Sequence, residues 1–220
     1  THLVKRLIHI SSPSLYFDYE DKYNLNECDP FPQKFVNFYA TSKKAGEDLV
    51  QKAFHDGLPT VILRPRGIFG PGDTSIFPRI LSAMERKILP LINDGKALMD
   101  ITYVDNVVDA IILAIQAQDN VQGQIYNITN DEPKTFIELL EALSKKMQLP
   151  LKTKNVSFNK AYYSAKVLEA FYRLFQIKKE PPITCYGVGL LGTSMTFDIT
   201  KAKRELAYFP TININEGLDA

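Results

Sequence analysis

Thr60-Val61-Ile62-Leu63-Arg64-Pro65-Arg66-Gly67-Ile68-Phe69-Gly70-Pro71-Gly72-Asp73 is the stretch on which the fold turns. Its first four residues are a β-branched, apolar run that reads as a short strand halted by Arg64-Pro65. Gly67, Gly70, Pro71 and Gly72 then mark a tight turn region. Working upstream, a helical pattern runs from about Phe35 to His55 with Gly57 as its stop. Before it, Leu15–Pro32 reads as a long loop, and Leu3–Ile10 as a buried strand ending in Ser11-Ser12-Pro13-Ser14. Downstream come an amphipathic helix from Ile76 to about Lys87, an extended Ile101–Val104, and a helix Val107–Gln116 with Asp105 as its N-cap. A strand at Gln124–Ile128, a turn at Asn130–Pro133 and a helix Phe136–Met147 capped by Thr135 follow.

This alternation of strand and helix predicts an α/β architecture with a parallel sheet flanked by helices. After Pro150 the pattern changes. Leu151–Val156 is extended and Lys160–Ile177 helical; Pro181-Pro182 breaks the chain, Ser194–Phe197 is extended, and Thr200–Ala207 is a short helix. The division expected is a main part over residues 1–148 and a smaller, mostly helical cap over 149–220.

The 220 residues are 45% hydrophobic and 23% charged, which excludes disordered and fibrous classes. Lys and Arg number 26 against 25 Asp and Glu, so no global positive field gathers nucleic acid. Cys28 and Cys185 are too few for a disulfide scaffold and too far apart for a zinc knuckle, so no metal is expected and a reducing, cytoplasmic setting is. No apolar run is long enough to span a membrane.

Ligands in open α/β sheets bind beyond the carboxyl ends of strands, which singles out Ser11–Ser14, Arg64–Asp73 and Asn127–Glu132. Tyr39 and Lys43, four apart, share a helix face. A free tyrosine titrates near ~10, and an adjacent ammonium stabilises a phenolate and lowers that value. With a strand-end hydroxyl such as Ser12, three groups can converge on a carbonyl or carbinol oxygen. That is proton chemistry at a C–O bond, and it needs a hydride partner that no side chain provides. The pair alone is weak, because Tyr162–Lys166 repeats the spacing in a later helix and either pair can be an amphipathic helix with a solvated lysine. Only the first pair has a serine-bearing strand end before it and a strand ending in Arg64-Pro65 after it.

In that context Ile8-His9-Ile10-Ser11-Ser12-Pro13-Ser14-Leu15-Tyr16, Tyr39-Ala40-Thr41-Ser42-Lys43 and Leu63–Asp73 resemble the extended short-chain dehydrogenase/reductases. Ile101–Ala110, Tyr126–Pro133 and Phe197–Ala202 extend the match in order along nearly the whole chain. The resemblance implies the C-terminal portion of a Rossmann-type, doubly wound parallel sheet with a helical substrate-binding cap. It implies that Ser12 holds the substrate oxygen, that Tyr39 is the acid/base, and that Lys43 also grips the nicotinamide ribose of NAD or NADP. It further implies cofactor contacts from Ser11 and from Pro65, Arg66 and Ile68, and dimerisation through the Tyr39 helix and its neighbour. Gly70-Pro71-Gly72 is expected to be mainly a turn.

The family opens with a strand, a G-x-x-G-x-x-G turn and a helix, and nothing here matches them. The expectation is therefore that roughly one hundred residues, with four strands, precede Thr1. Gly187-Val188-Gly189-Leu190-Leu191-Gly192 fits a dinucleotide fingerprint only as a string and reads as loop or cap wall.

For substrate, Met99 stands where nucleotide-sugar epimerases and dehydratases commonly carry an arginine for the diphosphate, and Gly67 where they often carry asparagine. Both changes favour the 3β-hydroxysteroid dehydrogenase-like branch, hence an apolar 3β-hydroxysteroid, sterol acid or long-chain β-hydroxy or β-keto acid. A nucleotide-sugar enzyme and a non-catalytic cofactor-binding protein are the alternatives. Arg66 either meets a substrate carboxylate or is solvated or structural. Along residues 160–179, Ala161, Tyr162, Ala165, Leu168, Phe171, Tyr172 and Phe175 form an apolar stripe ringed by Lys160, Lys166, Arg173, Lys178 and Lys179. It fits core packing, a lid over the substrate, or peripheral contact with a membrane surface.

Overall fold

Thr60–Pro65 is buried at every position, as a strand covered on both faces must be. The computed structural model describes residues 4–74, 77–84, 88–179 and 181–219. In chain order the elements are β1 (Leu7–Ile10), β2 (Lys22–Leu25), α1 (Phe38–His55), β3 (Thr60–Pro65), β4 (Ile68–Phe69), α2 (Phe77–Met84) and β5 (Leu89–Ile92). Then follow β6 (Leu98–Met99), β7 (Thr102–Tyr103), α3 (Val104–Gln116), β8 (Gln124–Ile128), β9 (Lys134–Thr135) and α4 (Phe136–Met147). The chain continues with β10 (Thr153–Val156), α5 (Phe158–Leu174), α6 (Cys185–Gly192), β11 (Met195–Phe197), α7 (Thr200–Leu206) and α8 (Ile214–Gly217).

β3 lies between β1 and β8 in a parallel sheet, so the predicted α/β class is the observed one. The two faces of β3 do different work because side chains alternate. Val61 and Leu63 pack with Ala110 and Ala114 of α3, Ala202 of α7, Tyr126 and Ile128. On the opposite face Arg64 forms a two-pronged pair with Glu47 of α1, Nε to Oε1 at 2.7 Å and Nη2 to Oε2 at 2.6 Å, with both side chains 2% exposed. Its Nη1 donates to the Tyr16 hydroxyl at 2.5 Å, which donates to the Asn26 carbonyl at 3.1 Å. Burial pushes the Tyr16 phenol up to about 12, so it stays protonated.

Several expectations change. β1 is shorter than predicted and only partly buried, since β3 covers one edge and Leu3 lies outside the described residues. A 3-10 turn at Pro13–Tyr16 overlaps the start of the expected Leu15–Pro32 loop, which also contains β2. Asp105 sits in the first turn of α3, not at its N-cap, which is Tyr103. Thr135 caps α4 through a reciprocal box with Glu138, as its spacing predicts. Ile76 and residues 85–87 of the predicted helix lie outside the described residues, and α2 covers its centre.

The tail returns to the first part of the chain. β11 lies between β2 and β6, and β10 pairs with β5. The Ile212 carbonyl accepts from buried Asn106 and Asn130 at 2.7 and 2.8 Å. Asp100, 2% exposed, accepts the Phe197 N–H at 2.8 Å and so fixes β11 beside β6. Burial pushes its carboxyl up to about 6, against the pull of the Phe197 hydrogen bond and Arg66.

Two outcomes follow from these buried charges. Glu47→Ala strands the Arg64 guanidinium and should lower the unfolding free energy by about 3–5 kcal/mol in urea titrations, whereas a loss under ~1 kcal/mol would contradict the pairing. Asp100 binds its proton more tightly folded than unfolded, so its contribution to stability falls as pH rises from its ordinary 3.8 to about 6. Asp100→Asn keeps an acceptor for Phe197 and removes that slope. The variant should gain on the parent by about 3 kcal/mol between pH 3.5 and 7, and a pH-independent difference would show that the carboxyl is not desolvated.

Candidate active site

The carboxyl end of β1 supplies the first wall. Ser11 donates its N–H to Leu63 at 2.8 Å, extending the strand pairing by one residue, and among the described residues its buried hydroxyl has no hydrogen-bond partner. Ser12, in an extended conformation, caps the following turn, its Oγ accepting the Ser14 N–H at 3.2 Å. Pro13 at the first helical position reinforces that stop.

α1 supplies the second wall. Asn37 caps it through the Ala40 N–H at 2.8 Å, which places Tyr39 in the first turn and Lys43 one turn on. Lys43 Nζ donates to the Ile10 carbonyl at 3.0 Å and stands 5.8 Å from the centre of the Tyr39 ring. One ammonium thus ties the tyrosine to the end of β1, two residues before Ser12. Tyr39 is 50% exposed, and among the described residues its hydroxyl makes no hydrogen bond. The structure therefore joins Tyr39 to Lys43 and Lys43 to β1, while Ser12 and Tyr39 are not hydrogen-bonded to each other. His9, beneath α1, is held below the ordinary histidine value by burial and then by Lys43.

The end of β3 supplies the third. The Arg66 N–H reaches Ile128 at 3.0 Å, and the Arg66 carbonyl accepts the Thr102 hydroxyl at 2.6 Å. Gly67 takes φ +53 where a Cβ would stand 3.2 Å from the Ile101 side chain, so the bend out of the sheet suits glycine. Pro65 is buried at the strand end, and Ile68 is exposed beyond the bend. Gly70, Gly72 and an Asp73 N–H to Gly70 bond at 3.1 Å form the expected turn.

α6 was not legible as a helix. The glycine string read as loop or cap wall is helical, capped by the Thr184 hydroxyl on the Gly187 N–H at 3.0 Å. Its glycines answer to packing. A Cβ on Gly189 would lie 2.6 Å from Phe17 and Tyr19, and one on Gly192 2.7 Å from Ile92. The helix brings in Tyr186, which the sequence reading missed. Its phenol, raised by burial, lies within electrostatic reach of Arg66 and Tyr39 and faces Asn37. The other face of α6 walls a cavity of about 500 Å³ with Ile92, Val156, Ala161, Ile183 and Val188. The second Tyr-x-x-x-Lys pair builds no such site, because Tyr162 stacks on Phe158 while Lys166 is exposed. Among the described residues no group of His, Cys, Asp and Glu could hold a metal ion, and no helix is long and apolar enough to cross a membrane.

Comparison with known proteins bears on the family and the fold. The sequence model of the 3-beta hydroxysteroid dehydrogenase/isomerase family matches residues 1–159. The chain is 38% identical over 223 residues to the uncharacterized protein YbjS of Escherichia coli K12, covering 98% of this chain and 65% of that protein. It is 35% identical over 226 residues to a 2-alkyl-3-oxoalkanoate reductase of Shewanella oneidensis, covering 98% of this chain and 58% of that enzyme. A crystal structure of UDP-glucuronic acid 4-epimerase from Bacillus cereus with NAD matches with a TM-score of 0.70 at 24% identity, over 99% of this chain and 60% of that one, which shows the fold alone. The chain thus spans 65% and 58% of the length of these two curated relatives. With its Rossmann-type α/β fold, it belongs to the 3-beta hydroxysteroid dehydrogenase/isomerase family, within the extended short-chain dehydrogenase/reductases.

Proposed function

We propose that the protein is an NAD(P)-dependent oxidoreductase that interconverts a secondary alcohol and a ketone on an apolar substrate. The observation that carries this reading is the position of Lys43, bonded to the Ile10 carbonyl and 5.8 Å from the Tyr39 ring centre. Tyr39 passes the proton to or from the substrate oxygen, and its half-exposed ring and hydroxyl without a protein partner leave it open to a ligand. Lys43 supplies the positive charge beside it and is held there by the backbone of β1. Ser12 turns from its cap to hold the same oxygen.

The nicotinamide cofactor supplies the hydride partner when bound. The residues present fit it. Lys43 is the cation that would grip the ribose, and the buried Ser11 hydroxyl, without a partner among the described residues, would be satisfied by it. The Arg66 N–H and carbonyl already serve Ile128 and Thr102, so we assign the carboxamide contact to Pro65 and Ile68. The matched 2-alkyl-3-oxoalkanoate reductase favours an apolar substrate. A nucleotide-sugar epimerase, the class of the matched Bacillus structure, is disfavoured. Met99 is buried beside Met195 and offers a diphosphate no charge.

α5 adds a peripheral role. Its buried side is Ala161 and Ala165, while Tyr163, Val167, Phe171 and Leu174 form an outward apolar row, with Val167 71% and Leu174 76% exposed. Lys160, Lys166, Arg173, Lys178 and Lys179 flank it, and Glu169 is bonded to the Cys185 N–H at 2.9 Å. Apolar side chains ringed by cations match an anionic lipid surface.

In the full-length protein, Tyr39→Phe should lower turnover of a good alcohol substrate by roughly 10²–10⁴-fold, followed by nicotinamide absorbance, with cofactor affinity largely kept. Unchanged turnover refutes the assignment. Co-sedimentation with phosphatidylserine vesicles should be lost when Val167 and Leu174 are both changed to Glu; a parent protein that ignores such vesicles ends the lipid reading.

A further inference from the structure

The cavity behind α6 takes no part in the chemistry above. It measures about 500 Å³, within the ~300–1,000 Å³ span of small-ligand sites, and Ser12, Tyr39 and Lys43 are not among its walls. α6 divides the two regions. On one face Tyr186 meets the Phe17 ring edge-on at 5.5 Å between centres, while on the other Val188 packs with Ile92, Ala161 and Ala165. Close packing leaves few hollows of this size inside a folded chain.

Its chemistry is one-sided. Ile92, Val156, Ala161, Ile183, Val188 and Leu191 give it apolar walls from β5, β10, α5 and the stretch that runs into α6. Among the described residues that line it, Lys160, Ser164 and Thr184 are the polar ones, and none is acidic. Thr184 already accepts the Gly187 N–H at 3.0 Å. Lys160 and Ser164, four apart on α5, share the side that faces the cavity. Both are exposed, and among the described residues neither side chain makes a hydrogen bond or an ion pair. One ammonium and one hydroxyl are therefore free to meet the two oxygens of a single carboxylate. Glu169, the acid of α5, is turned instead to the Cys185 N–H at 2.9 Å. Ser164 also borders a second hollow of about 700 Å³ along Tyr163, Val167 and Phe171, so the cavity adjoins the outward apolar row of α5 at this serine.

An apolar hollow with one cation and one hydroxyl at its rim fits an amphiphile with a hydrocarbon tail and a single anionic head. A phosphate monoester would bring further negative charge that no second cation of the lining meets. We infer that this cavity is a second binding site, which takes a free long-chain carboxylate with its tail between α5, α6 and β5 and its head on Lys160 and Ser164. The inference stands apart from the oxidoreductase reading, because this ligand needs no hydroxyl or ketone to react and no nicotinamide to bind.

The test measures binding of tetradecanoate to the full-length protein by titration calorimetry below the micellar range, with tetradecanol as the uncharged comparison. The parent should bind the carboxylate about tenfold more tightly than the alcohol. Lys160→Gln should erase that preference, and Lys160→Arg should keep it. Ser164→Trp, at an exposed helix position that tolerates bulk, should weaken both ligands by about tenfold or more by filling the rim. The double change of Val167 and Leu174 to Glu, which removes vesicle binding, should leave tetradecanoate affinity as it is. No binding by the parent, equal binding of carboxylate and alcohol, or full affinity in Ser164→Trp overturns the inference. So does a loss in the double variant, which would put the chain on the outer row of α5. Competitive inhibition of alcohol turnover by tetradecanoate would seat it in the active cleft and overturns it as well. Should the protein turn over no alcohol yet bind tetradecanoate in this Lys160- and Ser164-dependent way, the oxidoreductase reading fails and the second site stands.

Discussion

The pairing of Arg64 with Glu47 couples the middle strand of the sheet to the helix that carries Tyr39 and Lys43. Two nearly water-free charges tolerate little slack, because moving either away leaves the other unpaired in a poor solvent for ions. α1 is therefore held at a set height and rotation over β3. One turn toward its N-terminus from Glu47, Lys43 reaches the last carbonyl of β1. The Tyr39–Lys43 geometry is thus inherited from a contact one helical turn away. Tyr16 and Asn26 extend the same anchor into the segment after Ser12, so β1, α1 and β3 share one polar hinge pin.

The alternation of strand and helix was legible because the sheet elements are dense in β-branched and apolar residues and the helices carry local stop and cap signals. Thr135 with Glu138 and Gly57 after His55 are local features, and they behave as their chemistry predicts. What stayed hidden is non-local. Glu47 looks like one more helix carboxylate until Arg64 is folded beneath it. β2 contains Lys22 and Asn24 and has no strand-like pattern of its own; it exists because β11 pairs with it.

The candidate site was legible in the spacing of Tyr39 and Lys43, which the fold brings to the end of β1, and hidden in its cap. Ser12, Tyr39 and Lys43 announce themselves by spacing and by neighbouring strand ends. Tyr186 does not, since three glycines around it lower helix propensity and the stretch passes for a loop. Those glycines let α6 approach Phe17, Tyr19 and Ile92 closely, and Tyr186 on the same helix comes within electrostatic reach of Arg66 and Tyr39. A signal existed in principle, in glycines spaced for one face of a helix against aromatic rings, but only the partner surface gives it meaning.

The threading of β11 between β2 and β6 has a consequence for biogenesis. The Asn24 N–H finds its acceptor in Thr196, 172 residues further along the chain. At ordinary ribosomal speeds of about 5–20 residues per second, β2 emerges and waits on the order of ten to thirty seconds before its neighbour is even made. Through that interval its peptide groups stay open to any passing strand. The growing chain is thus vulnerable to wrong partners at β2 until the segment that carries β11 has been made.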